Sequence, residues 1–158
     1  MVYDFTADDV FEMAEQLERN GAKFYRTAAE NVSDPKSKEL LLGLAEMEDE
    51  HKKTFASLRA DLTAAEKIAT VFDPENESSL YLRALADTRV FFEKKIDTSS
   101  MKEILKAAIV AEKDSIVFYL GLKDVVPDQL GRRRLDMIIK EEMGHIRILS
   151  KELISLNE

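Results

Sequence analysis

The chain of 158 residues contains no cysteine. That excludes disulfides, thiolate catalysis, iron–sulfur clusters and any cysteine-bound iron centre. No apolar run approaches membrane-spanning length, so no membrane association is expected. The opening residues, Met1-Val2-Tyr3-Asp4, have neither a basic n-region nor an apolar h-region. No secretory signal is expected, and a cytoplasmic location follows. Low-complexity segments and domain-dividing linkers are missing too. Residues 1–158 therefore read as a single domain, long enough for a substantial core. Positive charge is in deficit, with 23 Lys and Arg against 31 Asp and Glu. The net charge of −8 argues against nucleic-acid binding. The one basic run, Arg132-Arg133-Arg134, reads as a solvated face before it reads as a docking patch for an acidic partner.

Histidine is also scarce, and its placement is informative. The only two, His51 and His145, each lie three residues after a glutamate, in Glu48-x-x-His51 and Glu142-x-x-His145. Thirty residues before each of those glutamates stands another, Glu18 and Glu112. Two Glu-x-x-His motifs plus two lone glutamates make the donor set of a carboxylate-bridged dinuclear metal site in a helical bundle.

The two sets are related by a constant offset of 94 residues, and the offset extends well beyond them. Laying residues 6–62 over 100–156 without a gap brings Thr6 onto Ser100, Phe11 onto Leu105 and Ala14 onto Ala108. Phe24-Tyr25 falls on Phe118-Tyr119, Asp34 on Asp128, Leu41 on Leu135 and Leu62 on Leu156. One structural unit is used twice. A duplication retained for packing alone would not explain why the matched polar residues are metal-ligand types.

Helical periodicity dominates, with weak β signal throughout. The first segment opens at Thr6 with Asp9 three residues on, an aspartate form of the capping box. Its inner stripe is Phe11, Ala14, Glu18, Gly21, Tyr25 and Ala28, and Ser33-Asp34-Pro35 ends it and caps the next helix. The second stripe runs Leu41, Leu44, Glu48, His51, Phe55, Leu58, Leu62. Ser100-x-x-Glu103, a full capping box, opens the third, whose stripe is Leu105, Ala108, Glu112, Ser115, Tyr119, Leu122. After a turn at Val126-Pro127-Asp128, the fourth runs Leu135, Ile138, Glu142, His145, Leu149, Leu153, Leu156. The link, residues 66–99, is long enough to cross the bundle end to end. Within it Leu80 to Lys95 reads as a short amphipathic helix. The expected fold is all-α: a four-helix bundle of two repeated hairpins joined by a long crossover.

Hairpin geometry brings the six residues together. The midpoint of Glu18 and Glu48 is Ser33, and that of Glu112 and Glu142 is Pro127, both in the turns. Each pair thus stands about fifteen residues, roughly 22 Å of helix, from its own turn. Four carboxylates at core positions cost many kcal/mol unless compensated. No Lys or Arg shares the central stripe positions, whereas two divalent cations would neutralise the set. Imidazole plus carboxylate suits iron or manganese, and zinc less distinctively. Glu46, Glu50 and Glu141 fall off the stripe and read as solvated. Tyr25 and Tyr119 each follow a ligand glutamate by seven residues. Packing alone would account for them, but a buried hydroxyl needs a partner, and a carboxylate ligand on a neighbouring helix is a natural acceptor.

With Glu18 and Phe24-Tyr25, Glu48-x-x-His51, Glu112 and Phe118-Tyr119, and Glu142-x-x-His145 in place, the chain resembles the ferritin-like superfamily, most closely the rubrerythrin-type di-iron domain. The resemblance spans about residues 6–156. It implies two irons held by Glu18, Glu48, His51, Glu112, Glu142 and His145, with Glu48 and Glu142 each paired with the histidine of its own motif. It also implies reaction with hydrogen peroxide or dioxygen, cycling between ferrous and ferric iron, and a homodimer. Two departures stand out. Rubrerythrins commonly carry a further glutamate where this chain has Ser115, and full-length members add a cysteine-bound rubredoxin-like domain that is absent here. Electrons must come from a separate donor. The expected function is therefore a di-iron oxidoreductase that reduces peroxide, or oxidises ferrous iron. The alternatives are an iron store with a ferroxidase centre and a metal-dependent structural bundle.

Overall fold

The computed structural model describes residues 6–63, 80, 97–126 and 131–157. Its four long helices are α1 (Ala7–Glu30), α2 (Pro35–Ala60), α3 (Met101–Val125) and α4 (Arg132–Ser155). The expected crossover, residues 66–99, with its short helix from Leu80 to Lys95, lies outside the described residues except for Leu80 and 97–99. So does the Pro127-Asp128 part of the second turn.

Local chemistry fixes the helix ends. Thr6 and Asp9 form the reciprocal capping box: Thr6 Oγ1 accepts from the Asp9 N–H, and the Thr6 N–H donates back to the Asp9 carboxylate at 2.9 Å. Asp34 caps α2 by accepting from the Ser37 N–H, and Pro35 opens that helix where its missing donor costs nothing. Ser100 accepts from the Glu103 N–H, the first half of the expected box. The Glu103 carboxylate instead pairs with Lys106 at 3.1 Å. α4 begins differently, from Gly131 at φ +111° with no side-chain cap. Arg132 folds back and donates through Nε and Nη2 to the Lys123 carbonyl in the last turn of α3, filling an acceptor that the helix end leaves open. Arg133 and Arg134 are exposed.

All four neighbouring helix pairs are antiparallel. α1 and α2 form one hairpin, α3 and α4 the other. Across the hairpins α1 meets α3, Tyr25 reaching Glu112 and Tyr119 reaching Glu18. α2 meets α4, His51 beside Glu141 and His145 beside Met47. The apolar interior is divided into two clusters. One gathers Phe11, Ala14, Phe55, Leu58, Leu122 and Leu135, the other Ala28, Leu41, Leu44, Leu105, Ala108 and Leu149. Both draw on all four helices, as the stripes predict. Leu156 departs from its stripe: it follows the last turn of α4 and is exposed. At one end Arg59 ties α2 to the start of α1, donating to both Asp8 oxygens at 2.8 and 2.9 Å and to Glu15 at 3.1 Å.

Gly131 is a tight backbone position. A Cβ there would stand 2.4 Å from Leu58 Cδ2, in a conformation L-residues avoid. Gly131→Ala is expected to cost about 1–3 kcal/mol of unfolding free energy. Denaturant titration reads this directly, and an unchanged midpoint would contradict the strain at this turn.

Candidate metal centre

Between the two apolar clusters lie the buried polar side chains Glu18, Glu48, His51, Glu112, Glu142 and His145, each no more than 4 % exposed. Every one occupies a stripe position, so the helices that build the core also aim these groups inward. They converge as two four-residue groups. Glu18, Glu48, His51 and Glu142 form one, and Glu48, Glu112, Glu142 and His145 the other; in each the ligand atoms lie within 4.8 Å of one another. Glu48 and Glu142 belong to both. The two imidazole rings stack at 5.7 Å between centroids, 17° from parallel.

His51 Nδ1 stands 3.1 Å from Glu142 Oε1 and 3.5 Å from oxygens of Glu18 and Glu48. His145 Nδ1 stands 2.9 Å from Glu142 Oε2, 3.4 Å from Glu112 and 3.5 Å from Glu48. These separations are short, yet both Nδ1 atoms and both Glu142 oxygens are buried without a hydrogen-bond partner. Donor atoms that crowd together without bonding one another have the arrangement a cation's ligand shell requires. Two ligands at right angles, each about 2.1 Å from one ion, stand about 3 Å apart. The residues present therefore fit a pair of divalent metals.

Tyr25 donates its hydroxyl to Glu112, and Tyr119 donates to Glu18. Each tyrosine thus holds the lone glutamate of the opposite repeat, from the facing helix of the α1–α3 pair. Burial pushes both hydroxyls well above their usual range, and the carboxylate charges beside them add to it. Neither will ionise at neutral pH, so both remain donors.

One neighbour was missed by sequence reasoning. Glu141 falls off the stripe of α4 and reads as solvated, but its Oε2 lies 2.6 Å from His51 Nε2. The side chain is half exposed and reaches across to α2 from the rim of the bundle. The available signal was its position next to the ligand Glu142, at the level of His51 on the facing antiparallel helix. Ser115, in turn, donates to the Ala111 carbonyl of its own helix and brings no carboxylate to the centre.

A cavity of about 660 Å³ opens between α1 and α3, reaching Glu18, Glu48 and Glu112 past Leu17, Gly21 and Phe24 on one side and Ala111 and Ser115 on the other. Gly21 lies against Glu48: a Cβ there would sit 3.4 Å from Glu48 Cγ.

Without metal, protons balance the charge. Burial pushes Glu18 up, reinforced by the Glu48 carboxylate beside it; burial likewise pushes Glu112 up. For Glu48 and Glu142 burial acts in the same direction. The nearness of Glu18, His145 and His51 outweighs it at Glu48, and that of His145, His51 and Glu112 does so at Glu142, so both carboxyls fall below the usual range. Burial opposes charge on the histidines, but the surrounding carboxylates prevail. His145 rises to about 12 and His51 rises further. Protons held on the histidines and on Glu18 and Glu112 thus offset the negative charge of the centre.

Metal must displace those protons. Loading divalent ions at pH 7 is expected to release protons, measurable by calorimetry in buffers of different ionisation enthalpy. Stability follows from the same shifts. Unfolded glutamates lose their protons above about 4.5 and unfolded histidines above about 6.5, while Glu18, Glu112, His51 and His145 in the folded centre hold theirs to higher pH. Between pH 5 and 8 the unfolded chain therefore binds fewer protons, and the metal-free bundle loses stability as pH rises. The depressed pair, Glu48 and Glu142, loses its contribution only below that window. The Tm of chelated protein should fall from pH 5 to pH 8, and the gain on adding metal should widen. A Tm that climbs over that range would overturn this charge balance. Glu48→Leu and Glu142→Leu should each abolish normal two-metal loading while the apo bundle still folds, since an apolar residue suits the stripe. Elemental analysis and circular dichroism separate those two effects.

The rubrerythrin family model matches residues 9–153. A Thermotoga maritima protein described as ferritin-like and diiron-carboxylate, solved by crystallography, superposes with a TM-score of 0.71 at 24 % identity, covering 97 % of each chain. No curated protein matches the sequence. Among the described residues no helix is long and apolar enough to cross a membrane. With the family match extending over nearly the whole chain, and the fold and buried Glu–His clusters agreeing with it, this protein belongs to the rubrerythrin family.

Proposed function

We propose that the chain is a di-iron oxidoreductase that reduces hydrogen peroxide, drawing its electrons from a separate donor. The observation that carries this reading is the pairing of two ligand clusters, joined by Glu48 and Glu142, with a cavity that leads to them from the surface. A purely structural metal site is closed by its ligands, whereas a reactive one keeps a route open. Two irons held by Glu18, Glu48, His51, Glu112, Glu142 and His145 would supply, in passing from ferrous to ferric, the two electrons that convert one peroxide and two protons into two waters.

The protein's own residues do the rest. The two shared carboxylates keep the ligand clusters adjacent. Tyr25 and Tyr119 hold Glu112 and Glu18 by hydrogen bonds, so the terminal carboxylates keep their orientation as charge at the centre changes. The apolar clusters above and below exclude bulk water. Gly21, Ala111 and Ser115 leave the approach to Glu48 unobstructed by bulky side chains.

The donor set also accepts manganese or zinc, and the same centre could oxidise ferrous iron for storage in a cage. We take the working unit to be a homodimer. Iron-reconstituted protein should hold two irons per chain. Its diferrous form should be oxidised rapidly by hydrogen peroxide and more slowly by dioxygen, then restored by added reductant with both irons retained. Absorbance after mixing with each oxidant, iron counts over several cycles and particle mass test this together. Accumulation of many irons per chain in a very large particle would select storage; failure to cycle would leave a structural metal bundle.

A further inference from the structure

The offset of 94 residues that superposes the two halves also relates Met47 to Glu141. These two residues take equivalent places in the structure. Each stands one residue before a shared glutamate, Glu48 or Glu142, and each contacts the outer nitrogen of the histidine on the opposite helix. Glu141 Oε2 lies 2.6 Å from His51 Nε2, and Met47 Sδ lies 3.3 Å from His145 Nε2. The six buried Glu and His side chains and the two tyrosines that touch them are matched: glutamate by glutamate, histidine by histidine, tyrosine by tyrosine. At this one pair a charged oxygen acceptor on one side faces a weak thioether acceptor on the other.

We propose that Glu141 and Met47 make the two metal positions unequal, so that a divalent cation fills the position of Glu18 and His51 before that of Glu112 and His145. This rests on the metal-centre reading above. A carboxylate accepting from Nε2–H fixes the proton on that nitrogen, leaves the Nδ1 lone pair aimed into the centre, locks the ring and strengthens Nδ1 as a donor. His51 has all of this. His145 has only the sulfur, which neither fixes the tautomer as firmly nor polarises the ring as much. Glu141 is thus a positioning residue for one metal, and Met47 marks the place where the other position lacks its equivalent.

The scarcity of histidine makes the test direct, because the imidazole region of an ¹H–¹⁵N spectrum contains two spin systems and no more. Chelator-treated protein is titrated with Zn²⁺, which is redox-silent, while calorimetry gives the stepwise constants. At one equivalent the His51 resonances should shift to their bound positions while those of His145 remain largely free. Glu141→Met should weaken the first binding step by about 10–100-fold, and Met47→Glu should tighten the second by about tenfold or more. The double exchange, Met47→Glu with Glu141→Met, should reverse the order, His145 shifting first. Glu141→Gln, whose carbonyl still accepts from Nε2, should keep the wild-type order. Both sites are accessible at the bundle rim, and unchanged circular dichroism of each apo variant separates misfolding from altered affinity. If both histidines of the wild type shift in proportion and the double exchange changes nothing, the inequality is wrong while the metal centre stands. If no Zn²⁺ binds at all, the metal centre fails and this inference fails with it.

Discussion

Charge neutrality in the interior is the constraint on which the rest of the structure depends. Four carboxylates occupy positions that an ordinary bundle would fill with leucine, and among the described residues they pair with the two histidines rather than with a lysine or arginine. Two kinds of compensation are open to the chain. Protons held on the histidines and on Glu18 and Glu112 offset the charge of the buried centre. Two divalent cations, on the function proposed above, would do the same. Compensation of either kind allows a site so polar to be inserted between two dry cores without breaking the bundle.

The division of the core follows from that arrangement. A single apolar interior running the length of the bundle would have to be interrupted by the ligand layer. Instead the chain builds two clusters, each closed by residues from all four helices. The tyrosines bridge the boundary. Tyr25 and Tyr119 pack their rings with the apolar clusters and point their hydroxyls at the ligand glutamates. The centre is therefore held at both ends by packing and through its middle by directional bonds.

Much of this was legible in the sequence because the controlling features are periodic. Helix stripes, cap residues at Thr6, Asp34 and Ser100, and the equal distances from turn to glutamate are all one-dimensional patterns with direct three-dimensional meaning. The repeat doubled each signal, and the family followed from it. What was not legible depends on contacts between helices across the repeat. Which tyrosine serves which glutamate, and that the shared carboxylates are Glu48 and Glu142, are matters of packing. Glu141 shows the difficulty most clearly. Its helical position faces away from the core, and only the length of a glutamate side chain at the rim lets it reach His51. The incomplete capping box at Ser100 has a similar cause: Lys106, one turn on, competes for the Glu103 carboxylate.

Joining the two hairpins in one polypeptide has a consequence of its own. A hairpin that paired with a copy of itself could build the same six-ligand centre, but every residue over one histidine would be forced to recur over the other. Covalent fusion frees each half to change alone. Position 47 can carry a thioether while position 141 carries a carboxylate, a difference that no self-assembling hairpin could encode.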